Sequence, residues 1–269
     1  MMTKYTKGMT HGGLFHADEV FGTALLKIVF GDFKVERVFK VPEYVSEDTL
    51  VYDIGGGTYD HHDQLEKRED GVPYAAFGKL WRDFGRMICY SDEVFARIDK
   101  ELVEPIDAVD NGVPGVESEY NRIIKTFNLS WDEETKDVDD AFNYAVDVAW
   151  VILRRKVDTC NSAAKAETLV TQAISESEDG ILVLDEFMPW QSYAASSDIL
   201  VAVYPAIRGG YNLQICPVAA DSRELKIHFP TVWDEVKPEG MTFKHASGFM
   251  AAFDSKEHAI NAAREAVKA

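Results

Sequence analysis

The 269-residue sequence predicts an α/β protein of two domains, an N-terminal one built on a parallel sheet and a smaller C-terminal α/β one. Three observations lead there. Short strand-like segments alternate with helical periodicity over the first half of the chain. Histidines and carboxylates gather beside glycines at the expected strand ends, in His11-Gly-Gly-Leu-Phe-His16-Ala-Asp18 and again in Val51-Tyr-Asp53-Ile-Gly-Gly-Gly-Thr-Tyr-Asp60-His61-His62. After a long helical stretch the composition turns strand-rich, which sets a boundary near residue 178.

Residues 4–11 are expected to hold a strand running into His11, because residues 18–30 then read as a mainly buried helix. Asp18 and Glu19 fall in its first turn, where the helix dipole favours acids. Residues 33–41 alternate apolar and polar positions and give a second strand; residues 49–53 give a third. Strands alternating with helices imply a parallel sheet, and ligands of such sheets bind beyond the carboxyl ends of the strands, where His11 and Asp53 fall. After Asp60-His61-His62, a charged loop at 66–70 leads to a helix with an apolar stripe at Ala76, Phe77, Leu80, Trp81 and Phe84. Ser91-Asp92-Glu93 caps another helix reaching Glu104, and Asn111-Gly112 marks a turn directly after Asp110.

The acidic tract at 131–140 introduces an amphipathic helix over 141–157, expected to break near 158–161 and resume over 162–177. Residues 181–187, 199–204 and 211–218 read as strands, with Arg208-Gly209-Gly210 as a hairpin turn, and a last helix starts at Ser255. The expected domains are therefore 1–160 and 178–269, joined by a helical connector at 161–177.

Composition narrows the function. A formal charge of −18 repels phosphate backbones at long range and counts against broad, sequence-independent binding to long duplex nucleic acid. It leaves room for a cleft made locally positive by bound cations. Cys89, Cys160 and Cys216 form no CxxC pair, so neither a disulfide framework nor a thiolate zinc site is expected. No run approaches the roughly 20 apolar residues of a membrane span, and the first ten residues resemble neither a signal peptide nor a transit sequence. A cytoplasmic protein with no membrane partner is the expectation.

The two motifs hold four of the seven histidines and read as halves of one metal site. Mixed imidazole and carboxylate donors suit a first-row ion such as Mn, with Mg, Co or Zn as alternatives. A single ion could use His11, His16 and Asp53, leaving Asp18, His61 and Asp110 without a role. Two ions use all six, with Asp53 bridging, and a pair roughly 3.5 to 4 Å apart clamps the attacking and leaving oxygens in phosphoryl chemistry. The first motif alone could equally be a helix entry with satisfied polar groups. Adjacent histidines after an aspartate in a glycine-rich turn have little packing rationale, and a closed structural site would commonly call on thiolates.

These residues carry a resemblance. His11 to Glu19, Asp53 with Gly55-Gly56, Tyr59-Asp60-His61-His62 and Ala108-Val-Asp110-Asn-Gly112 resemble, in order, the motifs of the DHH phosphoesterase superfamily in the variant of the Myg exonuclease family, formerly described as metal-dependent protein hydrolases. Met188-Pro-Trp190, Val203-Tyr-Pro205 with Gly209-Gly210, and Phe243-Lys-His245-Ala-Ser-Gly248-Phe249 are similar to that family's closing domain, so the likeness spans nearly the whole chain. The chain departs from the family at Gly12, commonly Asn, at Ala17, frequently Cys, and at Asp63, often Gln.

The resemblance implies that His11, His16 and Asp53 hold one ion, and that Asp18, Asp53, His61 and Asp110 hold the other. His62 would face the substrate phosphate, with Asp60 supporting the turn. It further implies that His245, Ser247 and Gly248 line the substrate side of a cleft between the domains, with Arg208 or Arg223 as phosphate anchors. The implied activity is 3′–5′ exonucleolytic hydrolysis of RNA or short single-stranded oligonucleotides by water activated at two metals. A small-molecule phosphoesterase acting on a nucleotide, dinucleotide or pyrophosphate is the alternative, and a non-catalytic metal-dependent binding module a second. Stacking of a terminal base on an aromatic is the usual grip on such a substrate, and the sequence does not single out which aromatic.

Overall fold

A computed structural model describes residues 5–63, 66–134 and 137–269. The chain is mixed α/β and divides into two compact units, residues 1–161 and 162–269.

In the first unit, β1 (Lys7–His11) is flanked by β2 (Lys34–Val38) and β3 (Thr49–Val51), both parallel to it, in the order β2-β1-β3. The crossover from β1 to β2 is α1 (Ala17–Phe30), whose first ten residues are all buried, including Asp18 and Glu19. A helix buried on every side carries acids only where something compensates them. Central β1 ends at His11, and β3 stops two residues before Asp53.

Helix α2 (Ala76–Phe84) buries Phe77, Leu80 and Trp81 against α1, as its stripe predicts. The helix capped by Ser91, α3 (Asp92–Ile98), does not stop at Glu104. It passes through a π-helical turn at Asp99–Val103 into α4 (Glu104–Asp110), whose Pro105 sits in the first turn, where a missing N–H costs nothing. Gly112, at φ 67°, then turns the chain. Helix α5 (Glu119–Lys125), capped by Ser118, had no clear sequence signal.

The expected break near 158–161 is absent: α6 runs unbroken from Val138 to Ser175. Its buried stripe of Phe142, Val146, Ala149, Leu153, Val157 and Cys160 keeps helical spacing through the suspect segment. Asn161, which favours a break in an isolated helix, instead uses its side chain on the loop after α2: it accepts from Tyr90 N at 2.7 Å and donates to Ile88 O at 2.9 Å.

The second unit is a mixed five-stranded sheet of order β4-β5-β6-β8-β7, formed by β4 (Ile181–Val183), β5 (Val201–Pro205), β6 (Tyr211–Ile215), β7 (Met241–Lys244) and β8 (Met250–Phe253). Only β4 and β5 are parallel. Alternation along β5 fills both faces. Val201 and Val203 meet the alanine face of α8 (Lys256–Ala266), while Ala202 and Tyr204 join Val170, Trp190 and the short α7 (Gln191–Ala194). The β7–β8 hairpin was not expected as strands. Among the described residues no helix is long and apolar enough to cross a membrane.

Candidate metal centre

The carboxyl ends of β1 and β3 and the start of α1 bring the two motifs together. His11 is the last residue of β1, with its backbone held by pairing to both neighbouring strands upstream. Asp53 adopts φ 56°, in the left-handed region that side chains other than glycine rarely enter. Its N–H donates to Tyr59 O at 3.0 Å, and the Gly56 N–H reaches Asp60 Oδ2 at 2.7 Å, so the glycine loop closes back under Asp60, His61 and His62. An aspartate held in this conformation by its surroundings at a strand end is a candidate functional residue.

The side chains converge. His11 Nε2 lies 3.1 Å from Glu19 Oε1 and 3.2 Å from Asp53 Oδ2. On the other side of Asp53, His61 Nε2 lies 3.3 Å from Asp53 Oδ1, 3.2 Å from Asp110 Oδ2 and 3.7 Å from Asp18 Oδ2. His16 falls within a common ligand sphere with Asp18 and Asp110, and within another with His11 and Glu19. All six residues expected to hold ions therefore lie in one cluster, with Asp53 between the two histidines.

The electrostatics are those of a cluster that could hold cations. Asp18 is completely buried, and neither carboxylate oxygen has a hydrogen-bond partner. Burial, then the neighbouring Asp53 and Asp110 charges, push its pKa well above the usual carboxylate range. The carboxylates of Asp53 and Glu19 raise His11 to about 10. Burial works to lower His61, but Asp110 and Asp53 outweigh it and raise this imidazole to about 10 as well. For Asp53, burial is outweighed by His11 and His61, so its pKa falls. A buried acid with no hydrogen bond costs several kcal/mol when charged, and an imidazolium 3.7 Å away offsets only part of that. The donor set fits first-row cations.

Supporting contacts orient the ligands. His61 Nδ1 lies 3.3 Å from Asn111 Oδ1, and the Asn111 amide donates to Asp107 O at 2.9 Å, which turns its carbonyl oxygen towards the ring. Nδ1–H then points at Asn111 and Nε2 at the carboxylates. His62 Nδ1 contacts Asp60 Oδ1 at 2.6 Å while its side chain remains 60% exposed. Burial tends to raise Asp60, but the Gly56 N–H and His62 hold it down at about 2. Lys79, buried on α2, donates to Asp60 O at 2.6 Å and anchors the same turn.

Three supporting residues, Glu19, Asn111 and Lys79, are not marked as such by the sequence. Glu19 was assigned only to the helix dipole, yet both its oxygens accept the His16 N–H at 2.9 Å while it touches His11. Its spacing of three from His16 is that of a helix cap, which was the available signal. Asn111 read as half of a turn dipeptide, and nothing in the sequence marked its contact with His61.

The residues expected to meet substrate lie in the second unit and do not all gather. His245, Ser247 and Gly248 form the β7–β8 turn, where His245 Nδ1 lies 2.8 Å from Ser247 Oγ and Gly248 adopts φ 72°. Ser247 and Arg223 line one cavity of about 480 Å³ with Gln214 and Phe249. Arg208 is not brought to them. Its turn joins β5 to β6, and Tyr211 pairs with Phe253 at the far end of β8 from Met250, so the two turns stand at opposite ends of the sheet.

A histidine and carboxylate cluster at the carboxyl edge of a parallel sheet, with a buried acid that makes no hydrogen bond, defines a candidate metal-binding α/β protein. The chain belongs to the family whose model, MYG1_exonuc, described as an uncharacterised protein family (UPF0160), matches residues 7–267. It is 24% identical to a MYG1 protein of Schizosaccharomyces pombe over 99% of this chain and 98% of that one. It is 25% identical to the MYG1 exonuclease of Mus musculus and 24% identical to that of Homo sapiens, over 95% of this chain and 83% and 84% of theirs. No solved structure gives a significant match.

Proposed function

We propose that the chain is a divalent-metal-dependent phosphodiesterase of the DHH type, hydrolysing RNA or short single-stranded oligonucleotides from the 3′ end. The observation that carries the metal reading is Asp18, buried without a hydrogen bond to either oxygen beside Asp53, Asp110 and His61. The exonuclease names of the mouse and human relatives support the substrate class.

His11, His16 and Asp53 would hold one ion and Asp18, Asp53, His61 and Asp110 the other, with Mn the first choice and Mg, Co or Zn the alternatives. Bound there, the ions would supply Lewis-acid activation of water and neutralise charge on phosphate oxygens. The protein's own part is positional. Glu19 fixes the His16 backbone and contacts His11; Asn111 sets the His61 ring; Asp60 and Lys79 hold the turn. His62, pinned through Nδ1 with its side chain 60% exposed, would donate Nε2–H to a phosphate oxygen when its ring carries both protons. His245, Ser247, Gly248 and Arg223 are the proposed substrate contacts of the second unit; Arg208, at the other end of that sheet, is left out.

The test is hydrolysis by metal-stripped protein with Mn, Mg or no ion, offered a 5′-labelled RNA oligomer, a dinucleotide and pyrophosphate. A Mn-dependent ladder shortening from the 3′ end is expected. Cleavage of the small substrates alone would move the function to small-molecule turnover, and no cleavage at all would leave a metal-dependent binding module.

A further inference from the structure

The end of β2 carries an aromatic that the site does not yet use. Val38 O accepts the Gly12 N–H at 2.8 Å, so Phe39 leaves the sheet beside the residue that follows His11. Phe39 is 88% exposed, with the tip of its ring near the Gly12-Gly13 turn. A Cβ at Gly12 would lie 3.3 to 3.5 Å from three of its ring carbons, and one at Gly13 would lie 3.5 Å from the nearest. Two residues on, Val41 Cγ2 comes within 2.8 Å of where a Gly55 Cβ would stand. Residues 39–41 are thus seated on both glycine turns of the centre, the one after His11 and the one after Asp53. A side chain at Gly55 would displace Val41, and one at Gly12 would press on the Phe39 ring.

A groove of about 550 Å³ opens at this point, lined by Gly12, Gly13, Arg37 and Phe39 and by Asp137 and Asp139 at the foot of α6. Its cation is engaged: Arg37 pairs with Asp139 at 2.8 Å, donates to Gly13 O at 2.7 Å and lies over the Phe142 ring. With its arginine paired and two acids on its wall, the groove repels phosphate. An aromatic face beside carboxylates suits an uncharged base with its N–H donors and a ribose with its hydroxyls.

We propose that Phe39 is the platform on which the nucleobase stacks when the phosphate of the same nucleotide lies at the His11 centre. The proposal rests on the nuclease reading and adds to it the residue that positions the terminal nucleotide.

The test is kcat/KM of wild type, Phe39→Ala and Phe39→Trp on a single-stranded RNA oligomer and on the same oligomer with an abasic nucleotide at the end that is degraded. Phe39→Ala should lose about 5- to 150-fold on the normal oligomer, the range expected for one base–aromatic stack, and Phe39→Trp should restore it. The preference of the wild type for the base-ended oligomer should collapse towards one in Phe39→Ala. An unchanged preference, or an equal loss on both oligomers, would overturn the platform. If wild type cleaves neither oligomer, the nuclease reading fails by itself. Phe39→Trp fluorescence then decides the platform: a quench by adenosine monophosphate and none by ribose 5-phosphate supports it, and the same response to both, or to neither, overturns it.

Discussion

At Asp18 the stability and the function of the protein pull in opposite directions. A fully buried carboxylate without a hydrogen-bond partner weakens the ion-free fold whenever it is charged, so removing its charge should not harm that fold. Asp18→Asn is expected to match or exceed the thermal stability of metal-stripped wild type while losing the metal response. At an ion concentration a hundred times its dissociation constant, wild type should gain about 2.7 kcal/mol from binding, and the variant little of it. Melting curves with and without Mn measure both. A variant that is destabilised without metal and keeps the full shift would make Asp18 a structural acid.

The histidines set the pH dependence. His11 and His61 stand at about 10 in the ion-free protein against an ordinary 6.5, so their pairing with carboxylates stabilises the fold fully below 6.5 and is lost as pH rises through 10. A cation entering at neutral pH must displace those protons. Titration calorimetry in buffers of different ionisation enthalpy should therefore show proton release on metal binding at pH 7, diminishing as pH approaches 10. Release that does not vary with pH would separate the histidines from the ions.

At the scale of elements, close approach places the ligands. Gly78 on α2 donates to Asp107 Oδ1 at 3.0 Å, and a Cβ there would stand 1.8 Å from the other oxygen of that carboxylate. Asp107 also accepts from Arg68 at 2.8 Å, so α2, α4 and the loop between residues 66 and 73 lock together behind Asp110 and Asn111. Helix propensity alone would favour Gly78→Ala by about 1 kcal/mol. The contact reverses that sign, and chemical denaturation should show a loss of about 2 to 4 kcal/mol. A neutral or stabilising result would mean that α4 yields freely.

Sequence patterning carried α2 through its apolar stripe and the paired strands β5 and β6 through their apolar runs. It failed where tertiary contacts override local preference. Asn161 breaks nothing because its amide is engaged by the loop at 88–90, and the helix of Asp92 runs on because a π turn absorbs Pro105. The β7–β8 hairpin escaped because its strands are short and its exposed residues, Thr242 and Phe243, blur the alternation.

For the whole molecule, the convergence of the two motifs was legible because parallel topology places strand ends on one edge, and both motifs sit at strand ends. What supports them was less so. Glu19, Asn111 and Lys79 act through contacts between residues distant in sequence or through a helix cap, and their residue types announce nothing. A charge of −18 is also a property of the whole chain, and on the proposed function the affinity for polyanions would depend on cations bound at this one edge.

The most direct measurement is a calorimetric titration of Mn into metal-stripped protein, wild type and Asp53→Asn, with RNA hydrolysis followed in the same samples. Wild type should take up two ions per chain and begin to hydrolyse RNA as the second is filled, and Asp53→Asn should lose at least one ion and fall in rate by about a hundredfold or more, as when a principal source of transition-state stabilisation is removed. Hydrolysis that persists without added ion in the presence of a chelator, or a variant that binds and hydrolyses as wild type does, would contradict the account.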